Sequence, residues 1–331
     1  MQAKLATIDP RPDHGLHGVW AWLRRWAVPA FGVLVLVLLV SHARQVDWRG
    51  AGQALRAYAP GVLLAATGIA LSSHALYGCF DLLGRRHTGH HVSAGRTWAI
   101  AVASYAFNLN LGSLVGGIAL RARLYARAGL DEVTVAQVVG VSMATNWLGY
   151  GLVAGTVFAT GTIDPPPQAH LDAVAVQWLG AAMVVLVLGY VGLCAAAQGR
   201  AWRLRGRMLR LPAPGLAATQ LTLAAANWAL MGATLFVLLG QQIPYTTVLG
   251  VLLAASVVGV IMPIPGGLGV LEAVVLALLD GDLPQGRLLG AVMAYRAVYY
   301  LVPLAIGALV YLGLERHAGA LPTVADGETA A

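Results

Sequence analysis

Between Asp172 and Arg200 the sequence runs through "AVAVQWLGAAMVVLVLGYVGLCAAAQG" without one charged side chain. A helix crosses the hydrocarbon core of a bilayer with about 20 such residues, at about 1.5 Å of rise each. The stretch is continuously apolar, whereas strands of a membrane barrel alternate apolar and polar residues, so it points to a spanning helix. Comparable stretches lie at 26–44, 60–84, 134–161, 172–197, 216–240 and 287–314. Across the 331 residues 58% are hydrophobic and 11% charged, against about 45–50% and about 25% in a soluble domain. A soluble enzyme and a disordered chain are both excluded by this balance, and the expected class is an all-α polytopic membrane protein.

Two further apolar regions, 97–128 and 248–279, are interrupted near their middles. The first contains "NLNLGSLVGG" (Asn108 to Gly117) and the second "MPIPGG" (Met262 to Gly267). Pro263 and Pro265 cannot both sit inside an uninterrupted helix, because each removes a backbone donor and collides with the preceding turn.

Charge decides how these regions cross. Lys and Arg total 21 against 14 Asp and Glu, and in membrane proteins such an excess collects in cytoplasmic loops rather than marking a nucleic-acid binder. Lys4, Arg11, Arg24 and Arg25 place the tail 1–25 inside, and Trp26 to Arg44 reads as a spanning helix rather than a cleaved leader, the segment before it being too long for a signal peptide. Arg85, Arg86 and Arg96 mark one inner loop, and Arg200, Arg203, Arg205, Arg207 and Arg210 another, while 161–172 and 241–247 hold no Lys or Arg. Eight ordinary helices plus broken ones, with an imperfect charge bias, are the alternative; every loop charge falls on the expected side if 97–128 enters and leaves on the cytoplasmic side and 248–279 on the outer side. About six full spans and two re-entrant hairpins result, with both termini cytoplasmic. Units 26–161 and 172–314 then repeat one another in opposite orientations, with a short tail at 315–331. Gly116-Gly117 matches Gly266-Gly267, Gly140 matches Gly290, and Tyr150 matches Tyr300, all at one offset. Inverted repeats with broken helices place a binding site near the bilayer midplane.

Ionisable groups at membrane depth cost at least about 2.5–3.5 kcal/mol each on insertion scales, which makes them candidates for function. Glu272 and Arg296 fall at similar depths from the outer face, about 12 and 13.5 Å along their helices, and are expected to pair, as a latch holding the hairpin to the last helix, as part of a lipid-headgroup site, or as both. Arg121, with Arg123 and Arg127 after it, lies on the first hairpin, and Asn146 holds the position matching Arg296. Arg121 suits a lipid phosphate because its guanidinium offers paired donors; snorkelling to the interface is the plainer reading for Arg127. Each Gly-Gly step is expected to open a half-helix whose first N–H groups face the membrane interior and attract an anion. His74 and Asp81 share one face of the second span and read as side chains satisfied by hydrogen bonds to other helices, a polar lining being the alternative. The histidines of "RRHTGHH" lack Cys or carboxylate company, and no metal set, cofactor motif or nucleophile–base pair is visible.

"GGIALRARLYARAGL" (116–130) with "MATNWLG" (143–149) resembles the flippase part of MprF-type lysylphosphatidylglycerol synthases. "PIPGGLGVLEAVVLALL" (263–279) resembles the signature of the wider family named for that transmembrane region, which includes YbhN-like and hopanoid-associated HpnL-like inner-membrane proteins. The resemblance covers most of 30–315, and Gly117, Arg121, Arg123, Gly266, Gly267 and Glu272 fall on the family pattern. It implies bacterial inner-membrane handling of an anionic or zwitterionic phospholipid, or of a polyprenyl or hopanoid lipid, by translocation between leaflets. With 17 residues after Leu314, the soluble aminoacyl transferase domain is expected to be missing, leaving a non-enzyme for which a separate lipid-modifying enzyme is a candidate partner. A non-transporting scaffold subunit and a secondary transporter of a small solute are the alternatives.

Overall fold

The computed structural model describes residues 48–162, 165, 172–197, 201–204, 207–261 and 269–318, together with isolated helical positions 33, 37, 40, 41 and 44. Those five positions belong to a separate unit, residues 1–46, and everything below concerns the unit that begins at Asp47. The tail 1–25, most of the expected span 26–44, most of the loop 161–172, the Gly266-Gly267 step with Pro263 and Pro265, and the residues after 318 lie outside the described residues.

The described chain is helical apart from one small hairpin. A short helix α1 (Trp48–Arg56) precedes α2 (Pro60–Thr88). Pro60 opens α2 at a position where no backbone donor is lost, and Gly89, at φ 70, closes it by donating to the Arg85 carbonyl. Arg85, Arg86 and His87 occupy the last turn, where the helix dipole favours cations.

Next comes a fold-back. Helix α3 (Ala94–Leu111), capped by the Ser93 hydroxyl, stops at Gly112, whose φ of 87 and ψ of 165 suit glycine alone. A π-helical segment, Ser113–Ala119, and α4 (Leu120–Arg127) then return along α3. Gly116 lies so close to the Phe107 and Asn108 backbone that a Cβ there would collide with it. His91, before α3, reaches the Ala128 carbonyl after α4 at 3.3 Å, so the two legs begin and end side by side. The second half-helix therefore opens at Ser113 rather than at Gly116-Gly117. Gly112 supplies the turn, and Gly116 supplies the close approach.

Helix α5 (Glu132–Ala159) is capped by Asp131, which accepts from the Val133 and Thr134 amides. It packs on α6 (Ala173–Ala197) where Gly155 faces Gly180, a small-residue crossing that lets the backbones approach. The arginine-rich segment that follows is not a plain loop: β1 (Ala201–Leu204) and β2 (Arg207–Arg210) pair antiparallel, Ala201 opposite Arg210. Helix α7 (Pro214–Leu238) then lies along α2, joined by the Ser73 hydroxyl donating to Asn227 Oδ1 at 2.7 Å. Helices α8 (Tyr245–Ile261) and α9 (Val270–Leu278) pack on one another as a second fold-back. A continuous rod closes the chain: α10 (Gln285–Tyr295), a π-helical segment at Arg296–Leu301, and α11 (Val302–Ala318).

Four of these helices are long and apolar enough to cross a membrane: Pro60–Thr88, Ala173–Ala197, Pro214–Leu238 and Gln285–Arg316. The expected span at 134–161 is a 28-residue helix that falls short of their apolarity. Its Ser142, Thr145 and Asn146 face the protein interior or a cavity instead. Large side chains stand exposed around the helices, among them Leu64, Trp178, Leu186 and Leu309, as expected where hydrocarbon rather than water is the solvent.

Candidate functional site

A cavity of about 300 Å³ lies where the two fold-backs converge on α5. The first fold-back contributes Asn108, Ser113, Gly117, Ile118 and Arg121 to its wall, and α5 contributes Met143, Asn146, Trp147 and Tyr150. Ser256, Gly259, Val260, Val270 and Leu271 come from the second fold-back. Tyr77 on α2, Trp228 and Met231 on α7, and Tyr300 in the rod complete the interior side. Four of the lining residues, Ile118, Met143, Trp147 and Val260, also present broad apolar surface to the outside of the molecule. The cavity is thus rimmed by apolar side chains on the side where the first fold-back, α5 and α8 meet.

Arg121 is the one charged side chain among the described lining residues. It is held: Nη1 lies 3.3 Å from Asp81 Oδ1 and 3.2 Å from the Ser142 hydroxyl, and the guanidinium carbon sits 5.8 Å from the Tyr77 ring centre. Asp81 is fully buried and also accepts from the Tyr125 hydroxyl at 2.7 Å. A charge pair this deep persists only because each partner compensates the other's lost hydration. Arg121 Nε, buried, has no hydrogen-bond partner. The interhelical hydrogen bond expected on this face of the second span is made by Asp81, to Tyr125 with Arg121 beside it on the first fold-back, and not by His74. His74 Nδ1 is 2.9 Å from the Ala70 carbonyl and its ring packs against Tyr105 and Tyr299. The signal for the true pairing was an acidic residue on the second span and a basic one on the first hairpin at similar depth, which only the packing of α2 against the fold-back joins.

The other expected residues fall into three places. Gly116, Gly117 and Asn146 lie in or beside the cavity. Glu272 and Arg296 pair as expected, through two contacts, Arg296 Nη2 to Glu272 Oε2 at 2.8 Å and Nε to Oε1. They tie α9 to the rod rather than line the cavity, beside Leu271 and Tyr300, which do. Arg296 also sits 5.7 Å from the Tyr300 ring centre. Arg123 points elsewhere: its Nη2 is 3.1 Å from Glu315 Oε1 near the end of the rod, and Arg127 pairs with the same carboxylate. Gly266 and Gly267 lie outside the described residues.

Sequence reasoning missed Glu315 as the partner of Arg123 and Arg127, and it missed a polar seam between α2, α3, α7 and the rod. In that seam the Ser73 hydroxyl lies 2.6 Å from the Tyr299 hydroxyl, which lies 3.3 Å from that of Tyr105. Isolated hydroxyls in apolar helices carry little signal by themselves. Outside the spans, His90 is held below the ordinary histidine range by its burial and by neighbouring Arg85 and His91, which favours a neutral ring in that loop.

Residues 26–307 match the family described as "Lysylphosphatidylglycerol synthase TM region". The chain is 40% identical over 303 residues to "Inner membrane protein YbhN" of Escherichia coli (strain K12), covering 91% of this chain and 95% of that one. It is 26% identical over 298 residues to slr0712 of Synechocystis sp. (strain ATCC 27184 / PCC 6803 / Kazusa), covering 88% and 92%. A shorter match, 36% over 75 residues, reaches "Phosphatidylglycerol lysyltransferase" of Staphylococcus haemolyticus (strain JCSC1435) and spans 22% of this chain and 9% of that enzyme. The family match spans most of the sequence and both fold-backs, and the chain belongs to the lysylphosphatidylglycerol synthase transmembrane-region family.

Proposed function

We propose that this protein is a lipid translocase of the bacterial inner membrane that passes phospholipid headgroups between leaflets and does not itself catalyse aminoacyl transfer. The observation that carries this reading is the cavity, lined by both fold-backs and rimmed on one side by Ile118, Met143, Trp147 and Val260. A headgroup crossing unassisted loses its hydration across the hydrocarbon core. A polar station with an apolar opening lowers that barrier while the acyl chains stay in lipid. The relatives support the setting: one is named as an inner-membrane protein and another as a phosphatidylglycerol-modifying enzyme.

In this reading the two fold-backs are re-entrant hairpins from opposite faces, within inverted repeats at 26–161 and 172–314. Reciprocal packing supports the repeat. The Tyr150 hydroxyl donates to the Leu253 carbonyl on the second fold-back at 3.0 Å, and Asn110 on the first fold-back donates to the Tyr300 carbonyl at 3.3 Å. Tyr150 and Tyr300 are the residues that the repeat matches. Asn146 and Arg121 would meet the phosphate, with Arg123, Gly116, Gly117, Gly266, Gly267, Glu272 and Arg296 shaping or latching the hairpins. Both termini and the loop holding Arg200 to Arg210 would lie in the cytoplasm.

The test is reconstitution in vesicles of bacterial lipid composition with a fluorophore on the acyl chain, reading which leaflet the probe occupies. Protein-dependent movement is expected. If purified protein moves no lipid, with or without an ion gradient, a scaffold role beside a lipid-modifying enzyme replaces this reading.

A further inference from the structure

The same cavity carries information about which headgroup it takes, and this inference rests on the reading just given. Its fixed charge cancels: Arg121, the one charged lining residue among those described, is paired with the buried Asp81. A headgroup with a net negative charge would enter such a space without a free counter-charge to offset its lost hydration. A headgroup whose own charges cancel would not have that deficit.

The wall is also polarised along its length. On α5, Ser142, Asn146 and Tyr150 follow at four-residue intervals, one turn or about 6 Å apart along the same face. At the Ser142 end stands the Arg121 guanidinium, with its unpartnered buried Nε. At the Tyr150 end stand three rings set nearly at right angles. Trp147 and Tyr150 have centroids 5.6 Å apart at 72°, and Tyr150 and Trp228 are 5.2 Å apart at 71°. Rings at right angles form a corner of the kind that attracts an ammonium group through the negative potential of aromatic faces. Asn146 lies between the two ends and offers amide donors to a phosphate.

We infer that the cavity selects a zwitterionic headgroup carrying one phosphate and one ammonium. The phosphate sits at the Arg121–Asn146 end and the ammonium lies in the Trp147–Tyr150–Trp228 corner, about one helical turn away. Phosphatidylethanolamine has this chemistry, and so does its free water-soluble headgroup; phosphatidylglycerol lacks the ammonium.

Vesicles holding the full-length protein test this with phosphatidylethanolamine and phosphatidylglycerol probes of identical chains, each labelled on the acyl chain so that the headgroup is intact. Phosphatidylethanolamine is expected to move about tenfold faster, the ratio that one ammonium in an aromatic corner supports. Trp147→Leu, at a rim position, should bring the two rates together, and Trp147→Phe should restore most of the difference. Protein-dependent uptake of glycerophosphoethanolamine into the vesicles, faster than movement of phosphatidylethanolamine, would overturn a lipid source in favour of a soluble one. Equal rates for the two lipids in the wild type, or faster phosphatidylglycerol, would overturn the zwitterionic assignment while leaving translocation intact. Movement of neither lipid would overturn the translocase reading itself.

Discussion

The two fold-backs occupy matching places in the chain but are fastened in different ways. The first, 94–127, is anchored from within: Arg121 on its return leg pairs with Asp81 on α2, both essentially without exposure, with Tyr125 and Ser142 completing the bonds. The second is latched from the side, where Glu272 on α9 meets Arg296 at the start of the π-helical segment of the rod, each a little over a tenth exposed. The rod also reaches the first fold-back through Glu315, near its far end. The difference teaches that similar backbone breaks do not dictate similar electrostatics. A buried anchor fixes a fold-back to the helix beside it, while a partly exposed latch can exchange partners with less loss.

The largest test of this contrast is Arg121→Leu. It strands Asp81 in the interior, and unfolding in detergent should show a loss of about 3–5 kcal/mol, as when one partner of a buried pair is removed. Replacing both Asp81 and Arg121 with leucine should recover part of that loss. A single substitution costing less than the latch variant below would reverse the proposed roles of anchor and latch. The same reasoning means that loss of lipid movement in Arg121→Leu is not by itself a measure of headgroup binding.

A smaller effect is expected at the latch. Glu272→Gln keeps the shape but weakens a two-contact charged pair, and a loss of about 1.5–3 kcal/mol is expected. Exchanging the two residues, Glu272→Arg with Arg296→Glu, should restore part of it. A double-mutant cycle without coupling would show that the pair does not fasten α9 to the rod.

Smaller again is Glu315→Gln, because its partners Arg123 and Arg127 are partly exposed and water screens them. At most about 1 kcal/mol should be lost, and less in high salt. A loss equal to that of Glu272→Gln would make the rod clamp both fold-backs alike.

The smallest effect concerns the helices that follow the fold-backs. Asp131 caps α5 with its side chain, whereas α10 begins after Pro284 without a side-chain cap. Hydrogen bonds from Thr134 and the Val133 amide hold the Asp131 carboxyl below the ordinary carboxylate range. A depressed native value means that its stabilisation is complete above the ordinary range and disappears as pH falls through the native one. Asp131→Ala should therefore lower melting temperature slightly at neutral pH, with the difference from wild type closing in acid. A difference that persists at the lowest pH would mean that the cap acts through packing rather than charge.

Much of the architecture was legible because membrane chains write it in plain composition. The spans expected to begin near 60 and 216 and the interruption between Asn108 and Gly117 all coincide with breaks that the backbone obeys. The Glu272–Arg296 pair was legible too, since two opposite charges at one depth have few other partners in an apolar surrounding. The hairpin at Ala201–Arg210 was not, because an arginine-rich segment gives a strong signal for sidedness and a weak one for pairing. The misplaced half-helix start had a local cause: Gly116-Gly117 is the conspicuous dipeptide, yet the single Gly112 adopts the conformation that only glycine tolerates.

By itself the sequence determined that the chain is a helical membrane protein and that its first fold-back is interrupted between Asn108 and Gly117, because the cost of exposing polar backbone or charge to hydrocarbon acts residue by residue. Only the tertiary structure decided that Asp81 finds its interhelical partners in Arg121 and Tyr125, that Glu315 takes Arg123 and Arg127, and that Asn146, Trp147 and Trp228 share a cavity with both fold-backs. The physical reason lies in the solvent. Lipid is as apolar as a protein core, so these helices carry apolar side chains on every face and lack the inward stripe by which a soluble helix announces its neighbours.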